Sequence, residues 1–164
     1  MELRRQVCRR LHEEHVNVLD LLNRFGQALG RLKGSPPPGD PAWQSLLAQL
    51  ATALLYEVTR HFGFEEDELF PRLHQSGQGE LAELLFEEHE VIREVVRPLL
   101  VLIDRARTGD LDGTGWQSLK ITGMELVERL TSHAEKEELS LVPVLEDLLD
   151  EDTDRELWSA YAAG

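Results

Sequence analysis

The chain has a single cysteine, Cys8, in 164 residues. That excludes an intrachain disulfide framework and a cysteine-based zinc knuckle, so any metal site must use histidine and carboxylate. Positive charge is scarce as well. Seventeen Lys plus Arg against 31 Asp plus Glu leave −14 at pH 7, a balance that repels phosphate backbones and anionic lipid and points away from nucleic acid or a membrane as partner. No stretch approaches the roughly 20 apolar residues of a bilayer-spanning helix, and the opening MELRRQVCRRLHEEH lacks the apolar centre of a secretion signal. A cytoplasmic protein is expected. Strand alternation, a glycine-rich phosphate loop and a nucleophile elbow are also missing. The length fits one domain over 1–164.

What is present is helical periodicity. Cys8, Leu11, His15, Val18, Leu22, Phe25, Leu29 and Leu32 recur at spacings of three and four, the seam of a bundled helix interrupted by one histidine. KGSPPPGDP ends that helix, and Asp40 reads as the cap of the next, with Pro41 in its first turn. Leu47, Leu50, Leu54, Val58, His61, Glu65 and Leu69 form the second stripe, Leu85, His89, Ile92, Val96, Leu99 and Ile103 the third, and Leu119, Gly123, Leu126, Leu130, His133 and Glu137 the fourth. Kinks are expected at Pro98 and Pro143. TDRE, 153–156, resembles a capping box opening a short last helix. The pattern predicts an all-α, antiparallel up-down-up-down four-helix bundle with helices at roughly 3–33, 41–73, 79–107 and 115–149, followed by a C-terminal helix at 153–162.

The two halves repeat. EEH at 13–15 returns as EEH at 87–89, and HFGFEEDELFP at 61–71 returns in spirit as HAEKEELSLVP at 133–143. Positions i and i+4 share one helix face, so His61 reaches the same pocket as Glu65, and His133 the same pocket as Glu137. Burying four imidazoles and two carboxylates in a leucine-rich seam costs several kcal/mol per charge unless a cation offsets it. Imidazole with carboxylate suits iron, manganese or zinc, and a carboxylate bridges two ions. The expected arrangement places His15 and His61 on one ion, His89 and His133 on the other, and Glu65 and Glu137 between them. Because ligating histidines must be neutral, acidification through their titration range is expected to release metal and weaken the fold.

Other polar residues leave alternatives open. His12 is a half-exposed surface histidine or an added ligand, Arg93 a solvated charge or a partner for a ligand carboxylate, and Glu57 a group that orients His61 or one that takes no part in the site. Glu66 and Glu138 read as solvent-facing groups or as supports behind the ligands. His74 reads as a surface loop residue, and Tyr56 faces away from His61. HEEH at 12–15 is not the HExxH of zinc proteases, and no histidine has a glutamate three residues before it, as ferritin-like di-iron bundles require.

EEHVNVLDLL, HFGFEEDELFP, EEHEVIREVV and HAEKEELSLVP together resemble the four helical motifs of the hemerythrin-like HHE cation-binding family, over about residues 11–145. The resemblance implies a non-haem centre of two iron ions, oxo- or hydroxo-bridged, with zinc or manganese as substitutes, and ligands His15, His61, Glu65, His89, His133 and Glu137. It also implies binding of oxygen, peroxide or nitric oxide for sensing, storage or scavenging, with enzymatic turnover of peroxide or nitric oxide, or a structural metal-storing role, as alternatives. Oxygen-carrying members have a second histidine where this chain has Arg93, and His-x4-Asp where it has His133-x3-Glu137. Those departures favour a more symmetric, more open iron pair over reversible oxygen carriage.

Overall fold

Apolar side chains at three- and four-residue spacing shape the first helix, and they face inward as that spacing requires. In the computed structural model, which describes residues 2–164, α1 spans Gln6–Arg31 and buries Cys8, Leu11, His15, Val18, Leu22, Phe25 and Leu29. No side chain of its own caps its start. The free N–H groups there donate instead to carboxylates from the far end of the chain. Asp154 accepts from Gln6 and Val7 at 2.8 and 2.9 Å, and Glu146 from Arg4 and Arg5 at 3.0 and 2.8 Å. Negative charge at this position also complements the positive end of the helix dipole.

Asp40 caps the second helix by accepting from the Trp43 N–H at 3.0 Å. This helix, α2, covers 41–75 and is not uniform. Glu57–His61 and Glu65–Leu69 are π-helical, widened by hydrogen bonds that reach one residue further than in an α-helix. The second widening stands directly before Phe70 and Pro71, where the proline has no N–H to give and its ring crowds the preceding turn. The helix continues to Gln75, so His74 is exposed on its last turn rather than in a loop.

The third helix, α3, spans Gly79–Arg107 and stays helical through Pro98, which is exposed, so the carbonyl it displaces can turn to water. Asp112 caps the fourth by accepting from the Gly115 N–H at 2.7 Å. This helix, α4, occupies 113–148 with an interruption. It runs Gly113–Leu139, breaks at Ser140, where φ is −126°, and resumes over Leu141–Leu148. The kink expected at Pro143 is thus a full break three residues earlier, because the ring crowds the carbonyl of Leu139. The last helix, α5, is Glu151–Ala163. Asp150 caps it at 2.7 Å through the Thr153 N–H, which places Thr153 inside the first turn and leaves the expected Thr153 capping box unused.

Packing follows a ring: α1 on α4, α4 on α3, α3 on α2 and α2 on α1, with α5 laid against α1. Short turns at 76–78 and 108–112 make their neighbours antiparallel. The result is a four-helix bundle with a C-terminal helix. Its interior holds two separate apolar clusters. One contains Phe25, Leu50, Leu99, Trp116 and Leu126; the other contains Leu11, Phe70, Leu85 and Leu145, closed off by Leu157 and Tyr161 of α5. On α1, α3 and α4 the residues between the clusters are His15, His89 and His133 with Glu137; on α2 the changeover falls beside His61 and Glu65. Among the described residues no helix is long and apolar enough to cross a membrane.

Candidate metal centre

The layer between the clusters is polar and almost wholly shut off from solvent. His15, His61, Glu65, His89, His133 and Glu137 are each at most 2% exposed. They form two overlapping groups, His15, His61, Glu65, Glu137 and Glu65, His89, His133, Glu137, in each of which one donor atom per residue lies within 4.8 Å of the others. Both carboxylates belong to both groups. Glu65 puts Oε1 at 3.1 Å from His61 Nε2 and Oε2 at 3.2 Å from His89 Nε2. Glu137 puts Oε2 at 2.8 Å from His15 Nε2 and Oε1 at 2.6 Å from His133 Nε2.

Most of these approaches lack hydrogen-bond geometry. Nε2 of His61, His89 and His133, both oxygens of Glu65 and Oε1 of Glu137 are buried without a hydrogen-bond partner among the described residues. Each such atom costs about 1–3 kcal/mol if left alone. Convergent, unpaired lone pairs of nitrogen and oxygen at this separation are what a first-row cation requires, so the residues fit a metal ion of that kind.

The other ring nitrogens complete the design. Every Nδ1 faces a carboxylate, which can only accept, so each Nδ1 carries the proton and a neutral ring turns its lone pair inward. Glu14 of α1 holds His61 at 2.7 Å, and Glu66 of α2 holds His89 at 3.2 Å. Glu88 of α3 holds His133 at 2.8 Å, and Glu138 of α4 holds His15 at 2.6 Å. Each helix lends one carboxylate to the histidine of the next, and the fourth returns to the first. These four glutamates are themselves anchored. Arg93 reaches Glu66 at 2.7 Å, His12 reaches Glu138 at 2.9 Å and Lys136 pairs with Glu88. Glu14 accepts from Arg10 Nε at 2.8 Å, Tyr56 at 2.7 Å and Tyr161 at 2.9 Å.

The electrostatics answer to this geometry. Burial alone would lower the pKa of His15, but its bonds to Glu137 and Glu138 raise it to about 9. Against the same burial, His89 rises to about 10 through Glu137, Glu65 and Glu66, and His133 to about 9 through Glu137 and Glu88. His61 also rises well above its ordinary value, held up against burial by Glu57, Glu65, Glu137 and Glu14. Burial would raise Glu14, yet bonds from His61, Tyr56 and Tyr161 bring it down to about 2. Without an ion, protonated rings supply the positive charge that the carboxylates demand.

A family model, the Hemerythrin HHE cation binding domain, matches residues 7–145. The chain belongs to that family. Among curated proteins, none matches the sequence. Membership brings metal-ion binding with it, and the His and Glu groups of this hemerythrin-like domain are placed to hold a metal.

All six side chains expected at the centre from the sequence are brought together there. The supporting residues differ in part from expectation. Glu57 does not orient His61, because Glu14 from the neighbouring helix occupies the ring's Nδ1. His12 stays half exposed on Glu138, outside the donor groups. Arg93 grips Glu66 and the Val58 carbonyl instead of a ligand carboxylate. Glu66 and Glu138 are supports behind the rings. Sequence reasoning missed Glu14 and Glu88, although the doubled EEH motif carries both, each directly before a histidine that it does not itself hold. Tyr161 also went unconnected to the centre; it lies beyond the residues the family model matches.

Proposed function

We propose that this hemerythrin-like domain carries a non-haem pair of iron ions and binds oxygen, or a related small ligand such as peroxide or nitric oxide, for sensing, storage or scavenging. His15 and His61 would hold one ion, His89 and His133 the other, and Glu65 and Glu137 would be shared. The observation that carries this reading is that each of the two buried carboxylates directs one oxygen to a ring of each pair. Bound iron supplies Lewis acidity and one-electron chemistry at coordination positions the protein donors leave open.

The chain itself does the rest. The outer glutamates keep the Nδ1 protons in place and so fix which nitrogen faces inward. The two apolar clusters exclude bulk water above and below the layer, and Phe62 lies flat on His89 at 3.7 Å, restricting that ring. Manganese or zinc fits the same donors and would lack iron's response to oxygen.

Metal analysis together with absorption spectra of anaerobically reduced and re-oxidised protein tests the proposal. About two irons per chain, with a near-ultraviolet band that changes on adding azide, are expected. One zinc per chain and spectra indifferent to azide and peroxide would overturn it. Sustained consumption of peroxide or nitric oxide by the iron form would make the protein an enzyme rather than a binder.

A further inference from the structure

The chain has 31 acidic residues and a charge of −14, yet one recess on its surface has no Asp or Glu in its walls. It lies where α5 meets α1 and α2 and has a volume of about 520 Å³; its walls include Arg10, Tyr56, Arg60, Trp158, Tyr161 and Ala162. Each of four other recesses, of about 450 to 980 Å³, has at least one carboxylate side chain in its lining. The two guanidiniums are anchored but mostly unused. Arg10 gives one N–H, at Nε, to Glu14 at 2.8 Å, and Arg60 gives one, at Nη2, to the Tyr161 carbonyl at 2.9 Å. A guanidinium has five N–H groups, so most donors of both stay uncommitted among the described residues. No Asp or Glu pairs with Arg60 there.

We infer that this recess binds a small anion through a carboxylate or phosphate group, held between the guanidiniums of Arg10 and Arg60. Both head groups offer the paired acceptor oxygens that a guanidinium fork matches. The walls are set before any ligand arrives. Arg60 lies over the Tyr161 ring at 5.6 Å from its centre, Phe64 backs that ring at 4.2 Å, and the Tyr56 and Tyr161 hydroxyls stand 3.0 Å apart. An anion therefore pays little to order its site. The net charge of the chain opposes its approach, but that field is screened beyond about 8 Å at physiological salt. What retains the anion is local, and Trp158 and Ala162 supply an apolar wall for the rest of the molecule.

The recess is separate from the metal centre and contains none of its six inner side chains. Arg10 links the two, since it holds Glu14, which holds His61 Nδ1 at 2.7 Å. An anion in the recess shares Arg10 with the support of His61. The site does not depend on which metal the centre holds.

The experiment titrates the full chain, with its metal as isolated, by calorimetry with benzoate and with inorganic phosphate; benzamide, the uncharged analogue of benzoate, is the control. At least one of the two anions should bind wild type with a Kd of about 1 mM or tighter, more weakly as salt rises, and so identify the head group taken. Benzamide should not bind. Arg60→Gln should weaken binding about 10- to 100-fold, while Arg107→Gln, which removes the same charge at the end of α3, should bind as wild type. Ala162 is exposed, so Ala162→Glu brings a carboxylate to the recess without removing either arginine; it should abolish binding and keeps the test open should R60Q not fold. Neither anion binding wild type, benzamide binding as well as benzoate, equal losses in R60Q and R107Q, or binding that survives A162E would each overturn the assignment.

Discussion

Replacing Glu14 with glutamine isolates the role of the outer carboxylates. Glu14 accepts from His61 at 2.7 Å, Tyr56 at 2.7 Å, Arg10 at 2.8 Å and Tyr161 at 2.9 Å. Glutamine fills the same volume with one acceptor oxygen and turns an amide N–H toward the remaining donors, so some of the four lose their partner. At 8% exposure the site is little screened. The fall of the Glu14 pKa from 4.5 to about 2 corresponds to at most roughly 3.5 kcal/mol at about 1.4 kcal/mol per unit. Hydrogen bonds to charged groups, at about 1.5–3 kcal/mol each, give the same size once the unfolded chain's bonds to water are set against them. Arg10 is 40% exposed and adds little. Metal-free E14Q should therefore lose about 2–3 kcal/mol, on the order of 4–12 °C in Tm for a chain of this length.

The same loss must depend on pH in a definite way. The folded pKa of Glu14 is depressed, so its contribution is complete above about pH 4.5 and disappears as pH falls through about 2. That of His61 is raised, so its contribution is complete below about pH 6.5 and is lost as pH rises through its folded value. The deficit of E14Q should be widest between those limits. Urea unfolding of chelator-treated wild type and E14Q at pH 5.5 and at successive lower values measures it. Equal midpoints at pH 5.5, or a deficit that does not shrink toward pH 2.5, would refute the reasoning.

The remaining expectations concern the rings, the helix contact and the last helix. With His15 and His133 raised to about 9, His89 to about 10 and His61 well above its ordinary value, loading the metal-free protein at pH 7 should expel on the order of four protons, one per imidazole; calorimetry in buffers of different ionisation heat reads this, and an absence of proton release would contradict it. The raised values also mean that the metal-free fold loses stability as pH climbs through 9–10, visible as a falling urea midpoint. A Cβ on Gly123 would meet Leu29 Cδ1 at 2.8 Å and Phe25 Cζ at 2.9 Å, so Gly123→Ala should destabilise by about 1–3 kcal/mol from crowding, less the roughly 1 kcal/mol that alanine gains in a helix; an unchanged or raised Tm would show that α1 gives way. Removing residues 151–164 takes Asp154 from the start of α1 and Tyr161 from Glu14, and both Tm and metal affinity at the His61 side should fall, as thermal unfolding and chelator competition will show.

The convergence of the six inner side chains was legible because they stand on apolar seams, where a polar residue contradicts the period, and because the contradiction occurs twice with the same i,i+4 partner. Helix number and order were legible for the same reason. The supports were not, since Glu14 and Glu88 serve histidines on neighbouring helices, and which side chains meet across a bundle depends on helix rotation and axial offset. Of the two readings open for Glu57, the orienting one came from one-turn reasoning on a single helix, whereas the ring's outer nitrogen is held from α1. The π-helical widenings slip the pattern by a single residue each, too little for a three-four count to register. The true start of α5 was hidden because Asp150, Thr153 and Asp154 all suit a helix N-terminus, and only the tertiary demand of α1 for the Asp154 carboxylate separates their roles.

The circular lending of carboxylates from each helix to its neighbour acts as a hoop around a barrel of staves. Sliding any stave by one turn, about 5.4 Å, breaks the link it gives and the link it receives, so none shifts without undoing the hoop. Axial register and ligand geometry are then a single constraint, and backbone amides in this belt should exchange with deuterium only through global unfolding, while the helix ends breathe freely. The hoop has a thread leaving it, from Glu14 through the Tyr161 hydroxyl to α5. A strain at the His61 side has a short mechanical path to the outside of the bundle.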